Sequence, residues 1–357
     1  MTLLQWDDLR LKVHILLFDI RMTTPVRLPP FKGSALRGAW KGVLTRAYCP
    51  ATPEERQQPG HADGCPACYL TERENDPEAR KPYALRPPLT HETDFPPGAT
   101  LRWGMVLFGP AWLLLSYIFS TVHDMGHVAG IGHQPGKKGA RGRFELTTAY
   151  AEHPFRPHHR EIIYTKERPL VITPQNGAVT LEDVRRESER RLDAMSEEEP
   201  IVRLRFRTPT RIVHQKKLVK AGKFAFAPFF QRLLERLYML AHDFGDPPLE
   251  DARGRLREAM TTVRPLAERV HVVEDRTWWW DYKGYSSRLK RAQPMGGLMG
   301  EVVLRAPKAV WEALMVPLVW GEVAHVGKNA VKGQGWYALS GAWGTGSGKA
   351  RSEERGR

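Results

Sequence analysis

The sequence predicts an α+β protein of two similar halves in tandem, each an antiparallel sheet with helices on one face. Three observations carry this reading. The chain has 357 residues, too many for one ordinary domain and about right for two of roughly 150 residues each. Hydrophobic residues make up 41% of it, enough for packed cores and too many for a disordered chain. A strand–helix–strand–strand–helix–strand order runs through residues 9–150 and recurs between 201 and 340.

Residues 9–20 (LRLKVHILLFDI) are rich in Val, Ile, Leu and Phe and read as a strand buried on at least one face. Pro25, Pro29 and Pro30 break it. FKGSALRGAWKGVLTRAYC then reads as a helix from about Ser34, a good N-cap, with Leu36, Trp40, Val43, Leu44 and Ala47 on its apolar face. Lys32, Arg37, Lys41 and Arg46 lie largely off that face, so the helix is basic on its open side. Residues 50–82 are polar and rich in Pro, Gly and charge, and read as a long insertion that begins at Cys49. ATLRWGMVLF (99–108) is strand-like, a helix follows from about Pro110 to Met125, and a strand runs from Gly142 to Tyr150. The second strand of this half has no clear signal. The order is nevertheless ferredoxin-like, as in RRM domains.

Residues 153–200 are rich in Arg, Glu and Pro and read as a connector with one short strand pattern, EIIYTKERPLVI. The order then repeats. IVRLRFRTPTRIV (201–213) alternates as a strand, and Phe226, Phe229, Phe230, Leu233, Leu234, Leu237 and Tyr238 recur at helical spacing. Residues 268–280 and 297–305 read as a strand pair, 308–324 as a helix and 335–340 as the last strand. The expected division is a first domain over 1–152, a second over 201–343, and a disordered tail over 344–357.

Lys and Arg number 54 against 40 Asp and Glu, a formal charge of +14, which points to a polyanionic partner. The longest apolar stretch, around Trp112 to Phe119, is broken by Ser116 and falls far short of the ~20 residues a bilayer span needs. Trp6-Asp7-Asp8-Leu9-Arg10 interrupts any signal-peptide core. Three cysteines make no disulfide framework. A soluble, cytoplasmic protein with no membrane partner is expected.

Three segments combine glycine with basic residues where a helix gives way to a strand: GIGHQPGKKGARGRF (130–144), YSSRLKRAQPMGGLMGEV (285–302) and HVGKNAVKGQGWY (325–337). Glycine lets a backbone approach a ligand closely, and exposed N–H groups suit phosphate. Gly327, Gly333 and Gly335 supply that freedom in the third segment, while Lys137, Lys138, Arg141, Arg288, Lys290, Arg291, Lys328 and Lys332 supply counter-charge. None of the three fits a P-loop or a dinucleotide fingerprint, because GKNAVKGQG lacks the Gly-Lys-Ser/Thr ending.

PPFKGSALRGAW, GRFEL and YSSRLKR…GGLMGEV…WGEVAHVGKNAVKGQGWY resemble the CRISPR precursor-RNA-processing endoribonucleases of the RAMP superfamily. The resemblance covers roughly residues 9–340 and is most specific in the C-terminal block. It implies tandem ferredoxin-like domains and cleavage within a CRISPR repeat RNA, with no metal or other cofactor for catalysis. The implied products are a 2′,3′-cyclic phosphate and a 5′-hydroxyl, and the guide RNA would feed an interference complex. A non-catalytic RAMP subunit that only binds guide RNA is the other reading, and monomer and homodimer both stay open.

Such cleavage needs a base for the 2′-hydroxyl, a proton for the leaving 5′-oxygen, and positive charge on the phosphorane. The resembling family places a histidine on or near the first helix, often with tyrosine or lysine, yet residues 21–60 contain none. His325, Tyr48, Lys41 and Arg37 are therefore the catalytic candidates, and Lys32 is a candidate RNA contact. The plain alternatives are a helix-end histidine bonded to backbone carbonyls at 325 and a half-buried aromatic at 48. His123, His127 and His133 invite a metal reading, although no carboxylate motif completes a site. Cys49, Cys65 and Cys68 form C-x15-C-x2-C with His61 four residues before Cys65, a pattern for structural zinc or, alternatively, for free thiols. The run Trp278-Trp279-Trp280 with Tyr282 and Tyr285 divides between core and base stacking.

Overall fold

The computed structural model describes residues 6–58, 60–71, 80–156, 160–175, 177–196, 198–286 and 291–345. In the first half, β1 (Val13–Met22) and the short β2 (Val26–Arg27) precede helix α1 (Gly33–Tyr48). Two small helices, α2 (His61–Gly64) and α3 (Pro66–Thr71), lie in the insertion. Then come β3 (Tyr83–Arg86), β4 (Asp94–Phe95), β5 (Thr100–Phe108), α4 (Leu115–Asp124), β6 (Phe144–Glu152) and β7 (Arg160–Thr165). The sheet order is β3-β5-β1-β6-β7, antiparallel throughout. Without β7, the connectivity β1-α1-β3-β5-α4-β6 is ferredoxin-like.

The second half opens with α5 (Leu181–Asp193) and β8 (Ile201–Thr210), followed by a ribbon of β9 (Val213–His214) and β10 (Lys217–Leu218). Helices α6 (Phe226–Phe244) and α7 (Ala252–Glu268) lead to β11 (His271–Trp280). A hairpin of β12 (Lys283–Ser286) and β13 (Arg291–Pro294) projects before β14 (Gly297–Arg305), α8 (Lys308–Ala324), β15 (Tyr337–Gly341) and β16 (Gly344–Thr345). The order β11-β14-β8-β15-β16 repeats the arrangement of the first sheet.

Strand period explains how the halves join. Successive side chains of β1 point to opposite faces. Leu16, Phe18 and Ile20 pack with Trp103, Met105 and Leu107 in a core that includes Leu36, Trp40 and Leu44 of α1 and Ile118 and Val122 of α4. Val13, Ile15 and Leu17 face the other way, into a core shared with Phe244, Leu237 and Leu318 of the second half. One face of the first sheet thus carries its own helices and the other carries the neighbouring half.

The structure corrects several boundaries. The N-cap of α1 is Lys32, with no side-chain cap, because the backbone is already helical there; Ser34 lies inside the first turn. Ala47 faces solvent. The connector 153–200 contains β7, paired with β6, and the helix α5. Thr180 and Asp183 close a capping box on α5, and Arg191 ties it to α8 through Glu322 at 2.7 Å. Helix α7 fills a stretch with no sequence assignment. Residues 344–345 form β16, and the rest of the expected tail, 346–357, lies outside the described residues. Among the described residues, no helix is long and apolar enough to cross a membrane.

Candidate functional site

The N-terminal end of α1 meets the C-terminal glycine loop where the two halves join. A β-carbon on Gly33 would overlap the carbonyl oxygen of Lys332, and one on Gly333, whose φ is 84°, would overlap the ring of Pro87 behind β3. Glycine at both positions lets helix, loop and strand edge close onto one another. Gly327 and Gly335 belong to the same loop.

His325 builds the loop from within. It caps the C-terminus of α8 at φ 64° and has no exposed surface. Its Nδ1 lies 3.2 Å from the Gln334 carbonyl oxygen, and its Nε2 has no hydrogen-bond partner among the described residues. Burial, followed by the charges of Arg86 and Arg236, holds the imidazole well below its usual range. His325 is therefore neutral at pH 7 and donates Nδ1–H to Gln334. The imidazole expected as the base is thus a buried ring that braces the loop, with no surface open to a substrate. Gln334 continues the scaffold: its side-chain nitrogen Nε2 donates to the Tyr282 hydroxyl at 2.7 Å, and its side-chain oxygen Oε1 accepts from Asn329 Nδ2 at 2.8 Å. Trp336 packs against the guanidinium groups of Arg86, at 4.9 Å, and Arg207, at 5.0 Å.

Cations converge around this scaffold. Lys328 is exposed. Lys332 is half-buried, and burial with the nearby Arg37 charge lowers the pKa of its ammonium. Arg37 and Lys41 stand one turn apart on the half-exposed side of α1. A neighbouring cavity of about 370 Å³ is lined by Arg211, Arg291, Gln293 and Pro294. Arg211, unflagged by any motif, donates to Gly296 O at 2.7 Å.

The other expected residues scatter. Lys32 is fully buried and donates to Pro30 O at 3.0 Å and Thr90 O at 2.8 Å, with burial pushing it down to about 8; it has no face toward RNA. Lys137, Lys138 and Arg141 are exposed on the first glycine loop, which docks on β2 through a bridge between Arg27 and His133. Arg291 is exposed, whereas Arg288 and Lys290 lie outside the described residues. Tyr48 packs edge-on against Tyr117 at 5.2 Å. It stands fifteen residues along α1 from Gly33, or ~22 Å at 1.5 Å per residue, so it shares no site with the glycine loop. Trp279 faces inward under Lys220, whose ammonium is 3.7 Å from the ring centre, and Trp278 is exposed.

The far end of α1 holds a second constellation. Cys49 follows the last turn, His61 opens α2, and Cys65 and Cys68 flank the start of α3. One ligand atom from each lies within 4.8 Å of all the others. Cys49 Sγ is 3.5 Å from His61 Nε2 and 3.6 Å from Cys68 Sγ. A tetrahedral site with Zn–S near 2.3 Å needs ligand separations of roughly 3.7 Å, so the residues present fit such an ion. His123 and His127 stack on each other at 4.3 Å, and neither joins His133 in a metal-binding group among the described residues.

Residues 204–337 match a family model described as CRISPR-associated endoribonuclease Cas6, and residues 11–177 match one described as an N-terminal domain. No curated protein matches the sequence. Among solved structures, Thermus thermophilus Cas6 superposes with a TM-score of 0.50 at 17% identity, covering 92% of this chain and 99% of that one. A partial Cas6-RT-Cas1–Cas2 complex superposes with a TM-score of 0.57 at 12% identity, covering 93% of this chain. This chain spans 46% of that chain's length, and 29% of the matched chain in a further Cas6-RT-Cas1–Cas2 complex.

Proposed function

We propose that this chain, which matches the Cas6 family model over residues 204–337 and shares the fold of Cas6 structures, is an endoribonuclease that cuts CRISPR repeat RNA in precursor transcripts to release guide RNAs. The observation that carries the reading is the junction itself. There the start of α1 closes on the glycine loop that carries Lys328 and Lys332, and Arg37 of the helix lies near enough for its charge to act on Lys332. In the proposed reaction the 2′-hydroxyl attacks the adjacent phosphorus and leaves a 2′,3′-cyclic phosphate and a 5′-hydroxyl, with no catalytic metal. Arg37, Lys41 and Lys332 neutralise the phosphorane. Lys328, Arg291 and Arg211 hold neighbouring phosphates, and Lys137, Lys138 and Arg141 extend the basic track on the first half.

The cysteine–histidine set is assigned to structural zinc. Its four protein ligands leave no open position, and the site stands at the opposite end of α1 from the junction. The ion would pin the insertion to the end of α1. The chain acts in the cytoplasm as a monomer or homodimer, and its product passes to an interference complex.

Incubating the protein with its cognate repeat RNA in EDTA, and mapping the new ends, tests the reading. Cleavage with a 2′,3′-cyclic phosphate on the 5′ fragment is expected. The lack of a histidine in residues 21–60 favours the second reading, a RAMP subunit that binds guide RNA without cutting it. Tight binding with the RNA left intact would establish that reading instead.

A further inference from the structure

We propose that the outer face of the second sheet binds an unpaired segment of RNA, with a base stacked on Trp278 and the phosphates held by the arginines of β8. The ligand is RNA as in the reading above, on which this inference rests.

Strand period divides β8 in two. Val202, Leu204 and Phe206 enter the core on one side of the sheet. On the other side Arg203 and Arg205 are exposed and Arg207 is half-buried. Alternate residues of a strand stand ~6.6 Å apart, so these guanidinium groups line one face in single file, an arrangement that suits consecutive phosphates of an extended strand. The row begins at the glycine loop, because Arg207 lies 5.0 Å from the ring of Trp336, which follows Gly335.

Strand β11 divides in the same way. Trp279 packs against the core, whereas Trp278 is 47% exposed. Register brings it to the arginines. Trp278 pairs with Met299 of β14, Arg276 pairs with Glu301, and Glu301 pairs in turn with Arg205 of β8. With one strand between them, the backbones of β11 and β8 run ~10 Å apart. Two carboxylates share the face: Glu301 lies 3.5 Å from Arg203, and Glu274 pairs with Arg276. Arg203, Arg205, Arg207 and Arg276 outnumber them, so the face is positive and complements a polyanion.

The exposed ring is also braced. Its centre is 6.3 Å from that of Trp280, tilted by 39°, and Trp280 is held by Phe31 at 6.2 Å and His91 at 4.6 Å from the first half. A fixed ring at the edge of a cationic face offers a stacking surface for a base. Bases inside a duplex already stack on one another, so the segment that uses Trp278 is single-stranded.

Anisotropy titrations of the full chain with a labelled, unstructured oligouridylate across a range of salt test the assignment without requiring cleavage. Wild type should bind it. Trp278→Ala should weaken binding by roughly 10-fold and Trp278→Phe by much less, because stacking needs a ring. Arg203→Ala with Arg205→Ala should weaken binding and flatten the slope of log K against log salt by about 1.4. Melting curves of these variants should coincide with wild type, since all three side chains are exposed. If Trp278→Ala binds as tightly as wild type and the double variant keeps the slope, the face is off the RNA path and the proposal is wrong, whether or not the chain cuts its repeat. Unchanged RNA binding with a wild-type dimer that dissociates in Trp278→Ala would make the face an interface between two copies instead. If the variants weaken oligouridylate binding while wild type leaves cognate repeat RNA intact, this assignment stands and the cleavage reading falls.

Discussion

The two ends of helix α1 are finished in opposite ways. At its C-terminal end Cys49 joins His61, Cys65 and Cys68 in a closed ligand set, and Tyr48 wedges against Tyr117. Its N-terminal end has no capping side chain and no acidic residue in the first turn, and it meets the second half through glycine instead of through a packed side chain. The closed end is built for stability. The other end is positive by its dipole, with Arg37 and Lys332 close to one another beside it.

Breaking each end separately should give contrasting results, the largest at the junction. Gly33→Val places side-chain atoms where the Lys332 carbonyl stands, so helix and loop must part. We expect cleavage to fall by 10²-fold or more by single-turnover assay, through lost placement, and stability to fall by about 1–3 kcal/mol, as overpacking does. Cys65→Ser should do the reverse. Elemental analysis should show wild type carrying about one zinc per chain and the variant less than half of that, with a lower melting temperature. Cleavage by the folded fraction should stay within a few-fold of wild type, since the ligand set lies ~22 Å along the helix. Metal-free wild type of normal stability would return the cysteines to free thiols.

Intermediate in size is the effect of loop charge. Lys328→Ala with Lys332→Ala removes two cations from the junction, and on single-stranded RNA each neutralised phosphate contributes about −0.7 to the slope of log K against log salt. The double variant should therefore bind more weakly and flatten the slope by about 1.4. An unchanged slope in salt titrations would take the loop off the RNA path.

Which parts of this were legible beforehand follows from what each residue's neighbours are. Both ferredoxin-like orders show in the apolar period, as do the basic side of α1 and the Cys-x2-Cys pair, because these are local patterns. Strand β3 gave no alternation because Tyr83, Ala84, Leu85 and Arg86 are all buried, Arg86 through Glu152 and Trp336. Helix α5 hid because part of its inward face is charged, with Arg191, Glu187 and Asp183 satisfied in ion pairs. Lys32 looked like an outward cation, yet its ammonium turns back to two carbonyls.

The smallest expected effect concerns His325, and it separates a brace from a base. Its folded pKa is depressed below the ordinary value of 6.5 by burial, then by Arg86 and Arg236, so the folded state favours the neutral ring. Its contribution to stability is therefore fully present above pH 6.5 and is lost as pH falls through the folded pKa, because the unfolded chain binds the proton more readily. Melting temperature should fall from pH 7 to pH 5, and His325→Asn should reduce that fall. Cleavage by the same variant should stay within a few-fold of wild type, since a ring sealed inside the loop exchanges no proton with RNA. If His325→Asn stays folded yet cuts 10²-fold or more slowly, the loop opens during the reaction and the imidazole inside it is the base.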